Sequence, residues 1–523
     1  MKTKNKPDRR AFEYSDFGPG LNTKEEHQLF AKIQEGIVYQ YEKIFPDKLA
    51  SRTVVIVPSL TLDMEILEQI KGSIHYEERL LCLLMLLRMP RTKVIYISSM
   101  PLSEVIVDYY LHLLHGITSQ LCKKTSLQCL TVMIFHAKPL TQKILDRPRL
   151  IGRIKDLITD PKSTHLTCYN ITPLEKSLAV KLGIPLFGTD PAMFYEGSKS
   201  GGRKTFRECG IDMPDGNEDL KTIEDIAGSL ARLKRANPAI RKAVVKMNDG
   251  FSGDGNAIYR YPELTIDDSL EKNILETIYD NLRPVAKNLS IKVFLEKFNE
   301  MEGIVEEFLE GEIKVSPSVQ CVIGTSDKIE IASTHDQLLG GDDGQIFVGA
   351  IFPADEEYAT TLAEIGKKVS SHLAGKGVRG RFAVDFISVK QDDGSWIHYA
   401  IEINLRKGGT THPFMMMQYL TNGYYDCEKG EYHTASGNKR FYFASDNVQN
   451  DKYIGITSED LIDIAMFHEL MYDGTTQEGV VFHLIGALSE FGKLGLVCIG
   501  STPERAKELY DDTLRVLDFE CEV

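Results

Sequence analysis

RGRFAVDFISVKQDDGSWIHYAIEINLRKGGTTHP, residues 379 to 413, is the stretch that decides the fold. Two apolar runs, 382–389 and 396–403, flank the polar turn Gln-Asp-Asp-Gly at 391–394, which predicts a β-hairpin. Side chains alternate along a strand, so Glu402 and Asn404 share a face. Closing the hairpin about its turn sets Asp385 opposite Ala400, one diagonal step from Glu402. Two carboxylates and an amide oxygen then converge on one sheet surface. Like charges out of water repel unless a cation or proton compensates them, and hard oxygen donors of this kind suit Mg²⁺ shared with substrate phosphates. Arg406 and Lys407 follow directly and would bring positive charge to phosphate oxygens. By spacing alone, the same acids also suit an ordinary hairpin with a charged surface.

Working outward, 523 residues exceed one hydrophobic core and predict about two to four domains. The formal charge is −14, with no basic block beyond a short KPDRR near the start, so nucleic acid and anionic membrane are poor partners. Nine cysteines lie scattered without a CxxC pair, which suits reduced thiols in a cytoplasm. The first residues, MKTKNKPDRRAFEY, lack an apolar signal core. The most apolar run, 80–89, is far short of a membrane span and predicts a buried helix.

An amphipathic helix is expected near 25–44. From Thr53, short runs at 54–57, 94–97, 130–135 and 166–169 alternate with helical stretches at 76–88, 102–114 and after Thr172. Strands alternating with helices predict a parallel sheet with helices on its faces. No glycine-rich dinucleotide fingerprint follows any of these strands. Next, Lys199 precedes a helix expected over 203–209. Residues 242–261, KAVVKMNDGFSGDGNAIYRY, read as strand, glycine-rich loop, strand. Gly250, Gly253 and Gly255 permit close backbone approach, so the loop is either a phosphate clasp reached by Lys246 or a plain glycine hairpin. A helix is expected over 270–281. GIVEEFLEGE, 303–312, predicts a strand that either offers its backbone to a purine edge or simply lies at a sheet edge. Further on, 318–324 reads as a strand, THDQ (334–337) and 340–344 as polar and glycine-rich segments, and 360–374 as a helix. Beyond Pro413 a helix, an irregular segment to about 452, a helix over 461–471, strands at 479–488 and 495–499 and a final helix over 503–517 form a small α+β unit. His335, His398 and His412 lack zinc-ligand spacing. His412 is expected to cap the helix that follows it.

Taken in order, Lys199, Lys246 with its glycine loop, EEFLEGE, Asp385 and Glu402-Ile-Asn404-Leu-Arg406 resemble the ATP-grasp superfamily. THDQLLGG, GRFAVDF, AIEINLRKGGTTHPF and GVVFHLIGALSEFGKLGLVCIG resemble, more narrowly, the subfamily of the peptide ligase of pheganomycin biosynthesis, over roughly 50–520. The resemblance implies a multidomain α/β and α+β chain. Its parts are a Rossmann-like pre-ATP-grasp domain (1–190), an ATP-grasp core of two α+β subdomains (191–424) and a small α+β C-terminal domain (425–523). It implies an ATP-dependent carboxylate–amine ligase that activates an acid as its acyl phosphate and releases ADP and phosphate. ATP and one or two Mg²⁺ ions, or Mn²⁺, would serve it. Its substrates would be a small carboxylic acid or amino acid and an amine, amino acid or peptide acceptor, in a cytoplasmic enzyme with homodimer formation left open.

Carried over by position, Lys199 and Lys246 would contact ATP phosphates. Gly250, Phe251, Ser252, Gly253 and Gly255 would form the lid. Glu306, Glu307, Phe308 and Leu309 would line the adenine pocket, with Glu312 at the ribose. Asp385, Glu402 and Asn404 would hold the metal, and Arg406 would steady the transferred phosphoryl group. Many relatives carry arginine two residues before the aspartate, where this chain has Ala383, so Arg381 is the substitute implied. Glu312 stands one residue closer to the hinge than is usual. His335 and Gln337 either shape the acyl or acceptor site or stabilise their loop. The competing readings are an acyl-phosphate enzyme with a thiol or other acceptor, and a non-catalytic nucleotide-binding scaffold.

Overall fold

The computed structural model describes residues 20–522 apart from 63, 115, 117, 118, 137, 251–254, 287, 288, 326, 327, 341–343 and 345. The reading of the first fourteen residues, and of Phe251, Ser252 and Gly253 in the glycine loop, lies outside the described residues. Among these, no helix is long and apolar enough to cross a membrane.

The first sheet is parallel, as the alternating pattern predicts. Strands β1 (Arg52–Val57), β2 (Thr92–Ser98), β3 (Leu127–Thr131) and β4 (Thr164–Cys168) lie in the order β3-β2-β1-β4. RTVVIV in β1 is buried throughout, because helices cover both faces of such a sheet. The helix Pro173–Leu182 opens with a Thr172/Glu175 capping box and stops at Gly183, whose φ of +72° is open to glycine at little steric cost. The helix after β1, Ser73–Arg88, winds as a 3₁₀ helix rather than an α-helix. Its LLCLLMLL centre has no polar face, so no single 3.6-residue stripe is favoured, and it is buried on almost every side.

The second sheet is antiparallel. Its strands are β5 (Gly216–Leu220), β6 (Lys242–Met247), β7 (Asn256–Arg260), β8 (Leu282–Pro284) and β9 (Gly303–Glu307), in the order β5-β9-β6-β7-β8. Ile226, Leu230, Ile274, Ile278, Phe294 and Phe298 cover one face as its core. The helix over Lys199–Glu208 begins at Lys199 itself, four residues earlier than expected, because Ser198 caps it by accepting from Gly201 N at 3.0 Å.

The third sheet holds β10 (Lys314–Ile323), β11 (Ile329–Gly340), β12 (Ile346–Phe352), β13 (Gly380–Lys390) and β14 (Trp396–Asn404). A two-stranded ribbon follows, β15 (Tyr424–Asp426) with β16 (Glu431–His433). Strands β17 (Phe441–Gln449), β18 (Gly479–His483) and β19 (Lys493–Gly500) then rejoin the sheet, in the order β14-β13-β10-β11-β12-β17-β19-β18. The main strands of residues 425–523 thus continue the preceding sheet instead of closing a separate one. The irregular segment expected up to 452 contains β15, β16 and β17. Strand β17 escapes the alternation pattern because its FYFASDNVQ is interrupted by Ser, Asp and Asn at a bulge. THDQ lies inside β11. The helix expected over 461–471 runs from Ser458 to Phe467, capped by Thr457. His412 lies within the helix Thr411–Thr421 and does not cap it; its ring packs edge-on against His483 at 4.5 Å.

Candidate active site

The hairpin register differs from expectation in a way that matters. Near the turn, Ala400 lies opposite Phe386, not Asp385. Continued regularly, that register would set Glu402 opposite Val384, on the face away from Asp385. A β-bulge between Asp385 and Phe386 absorbs Ile401, so Glu402 stands directly opposite Asp385 and Asn404 opposite Ala383. The carboxylates therefore meet more closely than simple alternation predicts.

Asp385 is held from three sides. Oδ1 accepts from Ser318 Oγ at 2.6 Å and from Gln337 Nε2 at 2.7 Å, and Oδ2 accepts from Asn404 Nδ2 at 2.8 Å. Desolvation and then the charge of Glu402 push the Asp385 carboxyl up, to about 6. Glu402 is pulled down: desolvation works to raise it, but Lys199 and Arg406 outweigh that. Lys199 Nζ lies 2.5 Å from Glu402 Oε1. Across from this pair, Lys246 is ion-paired with Glu306, which Arg203 Nη1 also reaches at 3.1 Å. Arg406 Nη2 donates to the Gly250 carbonyl at 3.2 Å, which ties the hairpin's exit to the start of the glycine loop.

Lys246 from the second sheet, Asp385, Glu402 and Asn404 from the third, and Arg406 just beyond β14 line one cavity of about 290 Å³. The hinge residues Glu306, Glu307, Phe308 and Leu309 line it too. Their backbone is already partly engaged: Glu307 N donates to Asp215 O at 2.8 Å, and Lys314 Nζ donates to Leu309 O at 3.2 Å. Gly250 and Gly255 approach closely, so that a Cβ on Gly255 would meet Gly250 Cα at 3.2 Å.

Of the described residues expected at the site, Lys199, Gly250, Gly255, Glu312 and Arg381 are not in the lining; Lys199 pairs with Glu402 and the Gly250 carbonyl accepts from Arg406. Glu312 is exposed and does not line the cavity. Arg381 lies two registers from Asp385 toward the strand's start; its Nη1 donates to Gln320 Oε1 at 3.1 Å, and it is also outside the lining. THDQ divides. Gln337 supports Asp385, whereas His335 is fully buried against Phe352 and Phe414 and its Nε2 lies 2.7 Å from the Tyr442 hydroxyl. Sequence reading missed Arg203, whose signal was its position one helical turn after Lys199. It also missed Arg79 and Asp446, which carried no local signal.

The donor set fits a small divalent cation. Two carboxylates face each other in register beside an amide, the hard oxygen donors that suit Mg²⁺. Asn404 turns its amide nitrogen toward Asp385; half a turn about the last torsion would present its oxygen.

This architecture is that of the ATP-grasp fold. A family model described as IQCH-like, ATP-grasp matches residues 192–287 and 269–428, and one for the PGM1 C-terminal domain matches 460–513. The chain is similar to the L-propargylglycine–L-glutamate ligase of Streptantibioticus cattleyicolor, 27% identical over 460 residues, covering 87% of this chain and 92% of that protein. It is also similar to IQ motif-containing protein H of Danio rerio, 23% identical over 423 residues and covering 72% of this chain but only 40% of that longer protein. Among solved structures, the biotin carboxylase of Campylobacter jejuni shares the fold with a TM-score of 0.54 at 13% identity, covering 90% of this chain and 95% of that one. The biotin carboxylase domain of 2-oxoglutarate carboxylase from Hydrogenobacter thermophilus, solved with MgADP, gives 0.52 at 15% identity, with 89% of each chain covered.

Proposed function

We propose that this chain is an ATP-dependent carboxylate–amine ligase that forms a peptide or amide bond through an acyl phosphate, releasing ADP and phosphate. The observation that carries the reading is the register-paired Asp385 and Glu402 in one cavity with Lys246 and Arg406, with Lys199 bonded to Glu402. Phosphoryl transfer needs positioning and charge compensation rather than a covalent nucleophile, and this cavity offers both. A relative named for joining two amino acids supports an amine as acceptor over a thiol.

Asp385, Glu402 and Asn404 would hold one or two Mg²⁺ ions, or Mn²⁺, whose chemistry is to offset phosphate charge. Lys199 and Lys246 exchange their carboxylate partners for phosphate oxygens. Glu306 to Leu309 flank the base, Gly250 and Gly255 anchor the two ends of a lid, and Arg406 orients the donor carboxyl toward the phosphoryl group. Excluding water keeps the acyl phosphate for the amine. The division into 1–190, 191–424 and 425–523 and a cytoplasmic location belong to this reading, with the last two parts sharing one sheet.

ADP release is measured with acid alone, amine alone and both together. Release that depends on both, with an amide product, supports the ligase. Release with acid and a thiol but no amine overturns it, as does nucleotide binding with no turnover across acid and amine panels.

A further inference from the structure

Part of the cavity wall comes from neither half of the ATP-grasp core. Tyr76, Arg79 and Tyr169 belong to the first unit, and Asp446 and Asn447 to β17. Arg79 is ion-paired with Asp446, and the two side chains are only 5% and 8% exposed. The guanidinium lies 4.0 Å over the Tyr76 ring and 5.5 Å from that of Tyr169, and Nη1 donates to the Tyr169 hydroxyl at 3.2 Å. Its buried Nε has no hydrogen-bond partner among the described residues. A buried ion pair adds little stability over a well-packed apolar pair, and an unmet buried donor subtracts from it. A pair that serves only to join the two units leaves that donor unexplained.

The backbone adds a second observation. The β17–β19 ladder breaks between Ser445 and Val448, where Asp446 and Asn447 together stand against Gly495. A bulge re-aims side chains and is over-represented beside active sites. The bulge at Ile401 does the same for Glu402 in this cavity.

We propose that Arg79 and Asp446 hold the amine-bearing substrate as an α-amino acid zwitterion, with its carboxylate on Arg79 and its ammonium on Asp446. This inference rests on the ligase reading above. The planar guanidinium presents its unpartnered Nε on the same edge as Nη2, and that edge binds a carboxylate bidentately. Nη2 exchanges Asp446 for the substrate carboxylate as Asp446 takes the ammonium. The donor's carboxyl belongs at Arg406 and the Asp385–Glu402 pair, where it is phosphorylated, so Arg79 is left for the acceptor. The acceptor's ammonium gives one proton to the Asp446 carboxylate, and its nitrogen attacks the acyl carbon. The C–N bond forms as the C–O bond to phosphate breaks, and the second proton leaves with the phosphate.

Hydroxylamine, a nucleophile without a carboxylate, separates this inference from the one beneath it. Each of the twenty standard L-amino acids is offered as donor with ATP and hydroxylamine, and then with each amino acid, or its methyl ester, as acceptor. The expected result is hydroxamate with at least one donor, and a KM for free amino acid acceptors tenfold or more below that of their methyl esters at similar kcat. In Arg79→Gln that advantage falls below threefold, with hydroxamate formation reporting a folded enzyme. Hydroxamate from the wild type with equal KM for acids and esters overturns the zwitterion site and leaves the ligase standing. So does an Arg79→Gln enzyme that keeps the full preference. Absence of hydroxamate and ADP with every donor overturns the ligase reading and this one with it. Should Arg79→Gln fail to fold, the acid–ester comparison in the wild type decides.

Discussion

Asp385 and Glu402 are two acids that the fold presses together with few compensating charges. Lys199 and Arg406 offset Glu402, while Asp385 relies on the hydrogen bonds of Ser318, Gln337 and Asn404. Such an arrangement is a poor stabiliser and a good cation trap. Glu402→Ala is therefore expected to lower kcat for ADP release by on the order of 10²–10³-fold, because charge compensation at the phosphates is lost. Losing that carboxylate leaves the buried Lys199 without its ion-pair partner, so stability is expected to fall by about 1–3 kcal/mol and the thermal midpoint with it. Normal turnover in that variant would refute the metal assignment. Lys246→Ala is expected to raise the KM for ATP by about tenfold to a hundredfold, the worth of a charge-assisted hydrogen bond. Arg203 still pairs with Glu306 in that variant, so the fold keeps its buried carboxylate partnered. An unchanged nucleotide affinity would remove Lys246 from the phosphate site.

At the scale of elements, the helix Lys199–Glu208 matters through its first turn. Lys199 reaches Glu402 because the helix starts at Ser198 and lies hard against the preceding turn; a Cβ on Gly201 would come within 1.8 Å of the Tyr195 carbonyl oxygen. No side chain fits there without moving backbone. Gly201→Ala is expected to displace that first turn and raise the KM for ATP, while Gly210→Ala, whose added Cβ meets nothing within 4 Å but sits at a φ of +62°, costs only about 1 kcal/mol of stability. Nucleotide kinetics beside thermal melts of both variants separate the two effects. Equal ATP KM values would show that the helix start does not position Lys199. The hairpin teaches the same lesson from the other side. Both strands and the turn were legible from alternating apolar residues, but the bulge at Ile401 was not, since one extra residue leaves no mark on a pattern of period two.

At the scale of the molecule, Tyr76, Arg79 and Tyr169 of the first unit meet the second and third sheets around the cavity, and the last strands complete the third sheet. His335 shows how far from solvent this junction is: burial lowers its pKa to about 3, with Arg381 adding to the effect. A histidine whose folded value lies below the ordinary 6.5 contributes stability that is fully present above 6.5 and is lost as pH falls toward the folded value. Replacing it removes that loss. His335→Gln is thus expected to be less stable than the wild type at pH 7.5, through its lost contact with Tyr442. The gap should close by about 1.4 kcal/mol for each pH unit below 6.5. Denaturant unfolding at pH 7.5, 6.0 and 5.0 measures it, and a gap independent of pH would mean that His335 titrates normally.

Local chemistry was enough to determine the parallel first unit, the helix after Thr172 and the hairpin, and it placed Lys199, Lys246, Asp385, Glu402 and Arg406 in their order along the chain. Each depends on spacing or propensity that a short window of residues carries by itself. Tertiary structure alone decided that Asp385 and Glu402 stand opposite each other, that Arg381 and Glu312 lie outside the cavity, and that β17 extends a sheet begun more than a hundred residues earlier. It also brought Arg79, from an apolar helix, to Asp446. The physical reason is common to all four: a bulge, a sheet edge and a buried ion pair are settled by which distant backbone comes to lie alongside, and no local period encodes that.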